Sequence, residues 1–229
     1  MFGGRLRAML GDQISSRPAG AARWPPPDVP ASVEEVYSRP SHGLDQFFTG
    51  TSDLQGFPML DLSGASQANI SYITQLGIRL YSDDTMLALE TVFGNGPDFL
   101  ERQSDPELVD RFMSSTLDFP ESHFCGALLW DTLQFLKQPL LQDTVDQLHR
   151  ILMPGAYLFA VFHANERCQD VPRYSFRIHD GKSLVLSTRS ERRTAPFLNN
   201  RAIEKLFHQF HSVKFFLTRD NLREIIVRR

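Results

Sequence analysis

The stretch that decides the fold is FPMLDLSGASQ, residues 57–67, in which an apolar run ends in a carboxylate and then in small residues. An apolar run of this length is typical of a buried strand, and small residues after it allow a tight turn. Residues 66–76 follow a helical spacing, and residues 78–81 form a second apolar run. A strand, a helix and a second strand in this order indicate a β-α-β unit of a parallel sheet.

The same alternation continues along the chain and predicts a Rossmann-like, doubly wound α/β fold. Turn residues at Thr218–Asn221 indicate an antiparallel hairpin at the end of the sheet. We therefore expect a mostly parallel, seven-stranded sheet. Its predicted strands are residues 57–62, 78–81, 112–114, 124–130, 157–162, 213–217 and 225–227.

Two parts of the chain depart from this alternation. Residues 1–40 are rich in proline and glycine and include Trp24-Pro25-Pro26-Pro27, which predicts a disordered tail. Residues 41–229 are expected to form one domain, with a hairpin insertion around residues 174–187, where Asp180-Gly181 is a strong turn signal. This hairpin is a candidate lid over a site.

Composition excludes several classes of function. The net charge is −3, so the protein carries no general positive field for nucleic acid. The two cysteines, Cys125 and Cys168, have no metal-ligand spacing, and we expect neither a metal nor a disulfide. No apolar run is long enough to cross a membrane, and the N-terminus lacks a signal-peptide pattern. The sequence predicts a cytoplasmic protein without membrane or nucleic-acid partners.

The loop after the first strand is the first candidate ligand site. Ligands of open parallel sheets bind beyond the carboxyl ends of the strands, where the strand order reverses. This loop carries Asp61, Ser63, Gly64 and Ala65, and the helix that follows offers unpaired backbone N–H groups. The alternative is an ordinary tight connection between a strand and a helix.

The second strand ends in Asp83 and Asp84, which lie where a ribose would cross the edge of the sheet. A carboxylate there can accept hydrogen bonds from both ribose hydroxyls. The competing role is capping of the following helix, which we expect for at least one of the polar residues at this position.

Further candidates lie at the ends of two later strands. Trp130 and Asp131 close the strand at residues 124–130, and His163 follows the strand at residues 157–162. Asp131 and His163 are candidate catalytic residues, with His163 as a general base. The alternatives are a helix-capping aspartate and a histidine that only makes hydrogen bonds, and Trp130 is either a core residue or a shield for a sulfonium ion.

These motifs, together with LDFPESHF (residues 117–124) and LHRILMPGA (residues 148–156), resemble the ordered motifs of class I S-adenosylmethionine-dependent methyltransferases. The resemblance spans residues 55–165. Its glycine-rich motif is divergent, because the family's three glycines fall at Ser63, Ala65 and Gln67, with Gly64 between two of them.

The resemblance implies S-adenosylmethionine as cofactor. Asp61, the small residues after it and either Asp83 or Asp84 would hold the methionine and ribose parts. The resemblance places Leu117, Asp118 and Phe119 near the adenine, Trp130 near the sulfonium, and Asp131 and His163 opposite an unidentified small-molecule or protein acceptor.

Three functions follow from these patterns. The first is methyl transfer, and the second is a non-catalytic binding or scaffold protein with the same fold. The third, a nicotinamide-dependent oxidoreductase, would require G-x-G-x-x-G, which residues 63–68 do not supply. The missing glycines favour the scaffold and the acidic residues favour the enzyme, so the sequence leaves the first two open.

Overall fold

The computed structural model describes residues 36–229, and the tail predicted for residues 1–35 lies outside them. The helices are α1 His42–Gly50, α2 Gln67–Gln75, α3 Thr85–Phe93, α4 Phe99–Arg102, α5 Pro106–Ser115, α6 Leu140–Ile151 and α7 Asn200–Leu206. The strands are β1 Val36–Pro40, β2 Pro58–Asp61, β3 Arg79–Ser82, β4 Phe124–Trp130, β5 Leu152–His163, β6 Asp170–Asp180, β7 Ser183–Arg193, β8 Ser212–Leu217 and β9 Leu222–Arg228.

The central sheet has the strand order β3-β2-β4-β5-β9-β8. Strands β3, β2, β4 and β5 pair in parallel, whereas β9 runs antiparallel to both β5 and β8. The chain passes from β2 to β3 on one side, and β4 lies on the other side of β2. The strand order therefore reverses at β2, which puts the loop after Asp61 at the switch point of the sheet.

The sheet has six strands instead of the predicted seven. The strand predicted at residues 112–114 lies in α5, which starts where Asp105 accepts a hydrogen bond from the backbone N–H of Glu107. Leu108 and Phe112 are four residues apart and pack into the same core cluster. An apolar spacing of four residues together with a capped start favours a helix over a strand.

A second, antiparallel sheet of three strands has the order β1-β7-β6. The hairpin β6–β7 is longer than the predicted insertion at residues 174–187. Val36–Pro40, which the sequence analysis placed in the tail, pair with β7 as strand β1. Tyr37 and Arg39 of β1 contact the interior, and an arginine in a short run before a proline gives little strand signal in the sequence.

Apolar side chains cover both faces of the central sheet. One core cluster joins β2, β4 and β5 to α3, α5, α6 and α7. The other joins the same strands to α1, α2 and the inner face of the antiparallel sheet. The antiparallel sheet thus packs on the main core as an integral part of it. Within the described part of the chain, no helix is long and apolar enough to cross a membrane.

A buried ion pair fastens β1 to the central sheet. The guanidinium of Arg39 lies 2.7 Å from the carboxylate of Glu224 in β9 and 3.2 Å from that of Asp220. The second Glu224 oxygen accepts a hydrogen bond of 2.8 Å from the backbone N–H of Gly43 at the start of α1. Burial raises the pKa of Glu224, so its ionised form depends on these partners.

Replacing Glu224 with glutamine should lower the free energy of unfolding by about 3 kcal/mol, because Arg39 would stay buried with a weaker set of partners. Urea denaturation at pH 7.5 measures this loss. The control is Asp45→Asn, which removes an exposed pair with Lys182 whose charged atoms are 3.8 Å apart and should cost less than about 1 kcal/mol. Equal losses in both variants would contradict the role of the buried pair.

Candidate functional site

The carboxyl edge of the central sheet brings the first two predicted loops together. Ser63 pairs with Asp84 as an isolated antiparallel bridge. The backbone N–H of Gly64 donates to the carbonyl of Asp83 at 3.0 Å, and that of Thr85 donates to the carbonyl of Leu62 at 3.3 Å. The loops after β2 and β3 are therefore joined directly by backbone hydrogen bonds.

Asp61 is the centre of this edge. Its carboxylate is fully buried and accepts hydrogen bonds from the backbone N–H and hydroxyl of Ser63, the amide of Asn69 and the indole of Trp130. The Trp130 bond is 2.7 Å long. Four donors satisfy a buried carboxylate well, so Asp61 holds its own loop, helix α2 and the end of β4 in place.

Trp130 is held in an uncommon backbone conformation. Its φ angle is +53°, a left-handed value that bulky residues rarely adopt. Its ring is buried and stacks on Phe176 of the hairpin, with ring centroids 5.1 Å apart. The bond to Asp61 and the stacking on Phe176 together fix this conformation.

Asn69 of α2 links Asp61 to the hairpin β6–β7. Its amide nitrogen donates to Asp61 and to the carbonyl of Phe176, while its oxygen accepts from the backbone N–H of Ile178 at 2.8 Å. Asn69 is completely buried and uses both ends of its amide. Sequence reasoning missed Asn69 and Phe176, because the contact between them joins residues 107 positions apart in the chain.

The two acids after β3 have different roles. Asp84 caps α3 by accepting a hydrogen bond of 2.9 Å from the backbone N–H of Leu87. A Cβ atom on Gly64, whose φ is +83°, would lie 3.0 Å from the Asp84 carboxylate, so this position favours glycine. The half-buried Asp83 carboxylate has no hydrogen bond or ion pair to any residue from 36 to 229, so Asp83 is the better-placed acid to bind a ligand.

The segment predicted near the adenine packs beside the edge strand β3. Leu117 is buried with φ +59°, and its carbonyl accepts from the backbone N–H of Phe119 at 2.9 Å. Asp118 is exposed. The Phe119 ring lies edge-on to Tyr81, at 6.0 Å between centroids, and belongs to a cluster of aromatic side chains at this edge.

Asp131 and His163, the two candidate catalytic residues, both contact Tyr174. The Asp131 carboxylate accepts from the backbone N–H of Tyr174 at 3.2 Å, and the His163 ring stacks on the Tyr174 ring with centroids 6.0 Å apart. Burial raises the pKa of Asp131 to about 7, against the opposing effects of that bond and of Arg173. Burial lowers the pKa of His163. No hydrogen bond joins Asp131 to His163 in the described ranges.

Gln134 and Arg223 also belong to this end of the sheet, and sequence reasoning missed both. The side-chain oxygen of Gln134 accepts from the backbone N–H of His163 at 3.0 Å. Arg223 in β9 lies directly opposite Phe162 in β5 in the register of the two antiparallel strands. The one signal for Arg223 was a charged residue next to an apolar run, which also describes many exposed residues.

The buried Asp131 predicts a pH-dependent loss of stability. Because its folded pKa exceeds its unfolded value, the folded state holds an extra proton below pH 7, and stability falls as the pH rises to about 7. Deprotonation of Asp131 in the folded state should lower the free energy of unfolding by about 2 kcal/mol between pH 5.5 and pH 8.

Denaturation at both pH values should show that Asp131→Asn lacks this loss. At pH 8 its free energy of unfolding should exceed that of the original protein. The exposed Asp118→Asn is the control and should follow the original protein at both pH values. Parallel pH profiles for Asp131→Asn and the original protein would refute the assignment.

Comparison with known proteins gives structural similarity only. No protein-family model matches the sequence, and no curated protein matches it. Among solved structures, the 1,6-didemethyltoxoflavin-N1-methyltransferase of Burkholderia thailandensis, bound to S-adenosylhomocysteine, is 12% identical, with a TM-score of 0.45 over 82% of this chain and 76% of that chain. An S-adenosylmethionine-dependent methyltransferase from Mesorhizobium loti is 11% identical, with a TM-score of 0.42 over 80% and 96%. The PH0226 protein of Pyrococcus horikoshii is 10% identical, with a TM-score of 0.47 over 82% and 92%.

The similar solved structures thus include S-adenosylmethionine-dependent methyltransferases, the family that the sequence motifs resemble.

Proposed function

We propose that this protein is an S-adenosylmethionine-dependent methyltransferase that acts on an unidentified small-molecule or protein acceptor. One observation carries the proposal. The loop Asp61–Ala65 and the free carboxylate of Asp83 lie side by side at the point where the strand order reverses. This is where open parallel sheets bind nucleotide-like ligands.

Several accessible groups around the loop after β2 suit the cofactor. Ser63 and Gly64 are partly accessible, and Ala65 is exposed. Helix α2 has no side-chain cap at Ser66, so its first N–H groups are available to a carboxylate such as that of the methionine part. Asp83 would hold the ribose hydroxyls, and Asp131 and His163 would face the acceptor.

The interior of the site does not fit the cofactor as it is arranged. Asp61, Leu117 and Trp130 are buried, and the four hydrogen-bond donors around Asp61 leave no access to its carboxylate. For the Asp61 carboxylate to bind the cofactor, its hydrogen bond from the Trp130 indole would have to break.

A second function, a non-catalytic binding or scaffold protein, is supported by the same interior contacts. A carboxylate satisfied entirely by protein groups stabilises the fold whether or not a cofactor binds. The cysteines at positions 125 and 168 are both free, which suits work in a reducing cytoplasm for either function.

Calorimetric titration with S-adenosylmethionine and S-adenosylhomocysteine, with NADH as control, tests the proposal. We expect micromolar binding of the two sulfur compounds alone. Asp83→Asn should weaken that binding by about 10-fold or more, because it removes the charge that accepts the ribose hydroxyls. Asp84→Asn is the matched control, since asparagine also caps helices well, and its affinity should be unchanged.

Trp130→Phe separates the two functions. It removes the indole N–H that occupies Asp61 and keeps an aromatic ring against Phe176. If the closed arrangement competes with the cofactor, this variant should bind S-adenosylhomocysteine several-fold more tightly. Absence of binding in both the original protein and Trp130→Phe, with each shown to be folded, would overturn methyl transfer and leave the scaffold.

A further inference from the structure

Arg223 is a buried cation without an acidic partner. Its side chain is 7% exposed. Its terminal nitrogens donate to the side chain of Asn200, at 2.8 Å, and to the carbonyl of Leu198. Across residues 36–229, no carboxylate pairs with it, and its Nε–H has no hydrogen-bond partner.

The surroundings of Arg223 leave its charge uncompensated. The guanidinium lies 5.8 Å from the ring centroid of Phe162 and 5.5 Å from that of Phe197, and burial lowers its pKa. Transfer of a charge from water into such surroundings is costly unless the charge is paired. A bound anion would supply the missing pair.

A small cavity beside Arg223 is lined by two further residues that each carry a buried polar atom with no partner among residues 36–229. The cavity has a volume of about 20 Å³, and its lining includes Gln134, His163 and Arg223. Gln134 is 7% exposed, and its Nε2 has no partner, nor does Nε2 of His163. Since about 10–15 Å³ holds one water-sized group, the cavity takes the polar end of a small molecule, and the rest of that molecule must lie outside it.

The unpartnered groups define the chemistry of a ligand. Arg223 Nε and Gln134 Nε2 are donors, and the orientation of the Gln134 amide is fixed by the bond from His163 N to its oxygen. His163 bonds to the backbone of Pro172, which has no N–H, so Nδ1 donates and Nε2 is left as an acceptor in the neutral ring. Two donors and one acceptor match a carboxylate that carries a neighbouring hydroxyl group.

The cavity adjoins a larger groove that can take the rest of such a molecule. The groove has a volume of about 400 Å³ and shares Cys168 and the segment Thr194–Phe197 with the cavity lining. Arg193 and Lys137 also line the groove, and the Phe197 ring is 38% exposed. A short organic acid could enter from this side without movement of the core.

We propose that Arg223, Gln134 and His163 form a binding site for a small 2-hydroxy carboxylate. The carboxylate accepts from Arg223 Nε and Gln134 Nε2, and the hydroxyl donates to His163 Nε2. The remainder of the molecule extends into the groove. A water molecule would satisfy the hydrogen bonds but leave the charge of Arg223 unpaired, so the anion is favoured. The site does not depend on methyl transfer or on cofactor binding.

Side-chain NMR of the full-length protein tests this site with glycolate, acetate and acetamide as probes. Saturable shifts of the Arg223 Nε–H and Gln134 amide signals are expected with glycolate. Acetate should bind about 5- to 10-fold more weakly, because it lacks the hydroxyl that His163 accepts. Acetamide, which has no charge, should produce no saturable shift. Absence of saturation with glycolate, or equal affinity for glycolate and acetamide, would overturn the proposal.

The variant Gln134→Glu provides the decisive comparison. It keeps an oxygen acceptor for His163 N, so the fold should be retained, but it places a carboxylate beside Arg223 and supplies the missing counter-charge internally. We expect glycolate affinity to fall at least 10-fold and the melting temperature to hold or rise. Arg201→Met, which removes an exposed arginine of α7, is the control and should bind glycolate normally. Equal glycolate binding by Gln134→Glu and Arg201→Met would also overturn the site.

Discussion

The hydrogen bonds to the Asp61 carboxylate are the interaction on which this end of the molecule depends. They join the turn after β2, helix α2 and the end of β4, and through Asn69 they reach the hairpin β6–β7. A buried carboxylate is stable only when its lone pairs are used, so these elements have to assemble together. Parts that are far apart in the sequence thereby form one unit at the switch point of the sheet.

Burial has opposite effects on the acidic and basic groups at the carboxyl edge. It raises the pKa of Asp131 and lowers those of His163 and Arg223, so in each case the neutral form gains. The Asp61 carboxylate accepts from four donors, whereas the Asp131 carboxylate accepts from Tyr174 N and has its pKa raised by burial. Within the described part of the chain, buried polar atoms without partners lie near β5 and β9, on Gln134, His163 and Arg223, and the free carboxylate of Asp83 lies beside the loop after β2. Polar groups that could bind a ligand therefore lie on both sides of β4.

The sequence predicted the alternating α/β architecture because each long element has its own periodicity and its own turn residues. It missed the helical identity of residues 112–114, since three apolar residues do not distinguish a strand from the last turn of a helix. It also placed the start of β5 at residue 157, whereas the strand begins at Leu152 and continues through Gly155, whose φ is +81°. The acids at the strand ends were identifiable from position alone. The contacts of Phe176 with Asn69 and Trp130 and of Tyr174 with Asp131 were not, because they form only when the hairpin packs onto α2 and β4.

The stacking of Trp130 on Phe176 also allows the packing of the hairpin to be followed by tryptophan fluorescence. An indole that is buried, donates to a carboxylate and lies against a second ring has an emission spectrum set by those neighbours. Withdrawal of the hairpin would expose the indole to water and shift its emission to longer wavelength. The second tryptophan of the chain, Trp24, lies outside the described residues, so a Trp24→Phe background isolates the signal of Trp130. The fluorescence of Trp130 therefore reports, without an added label, whether the hairpin stays packed on the core.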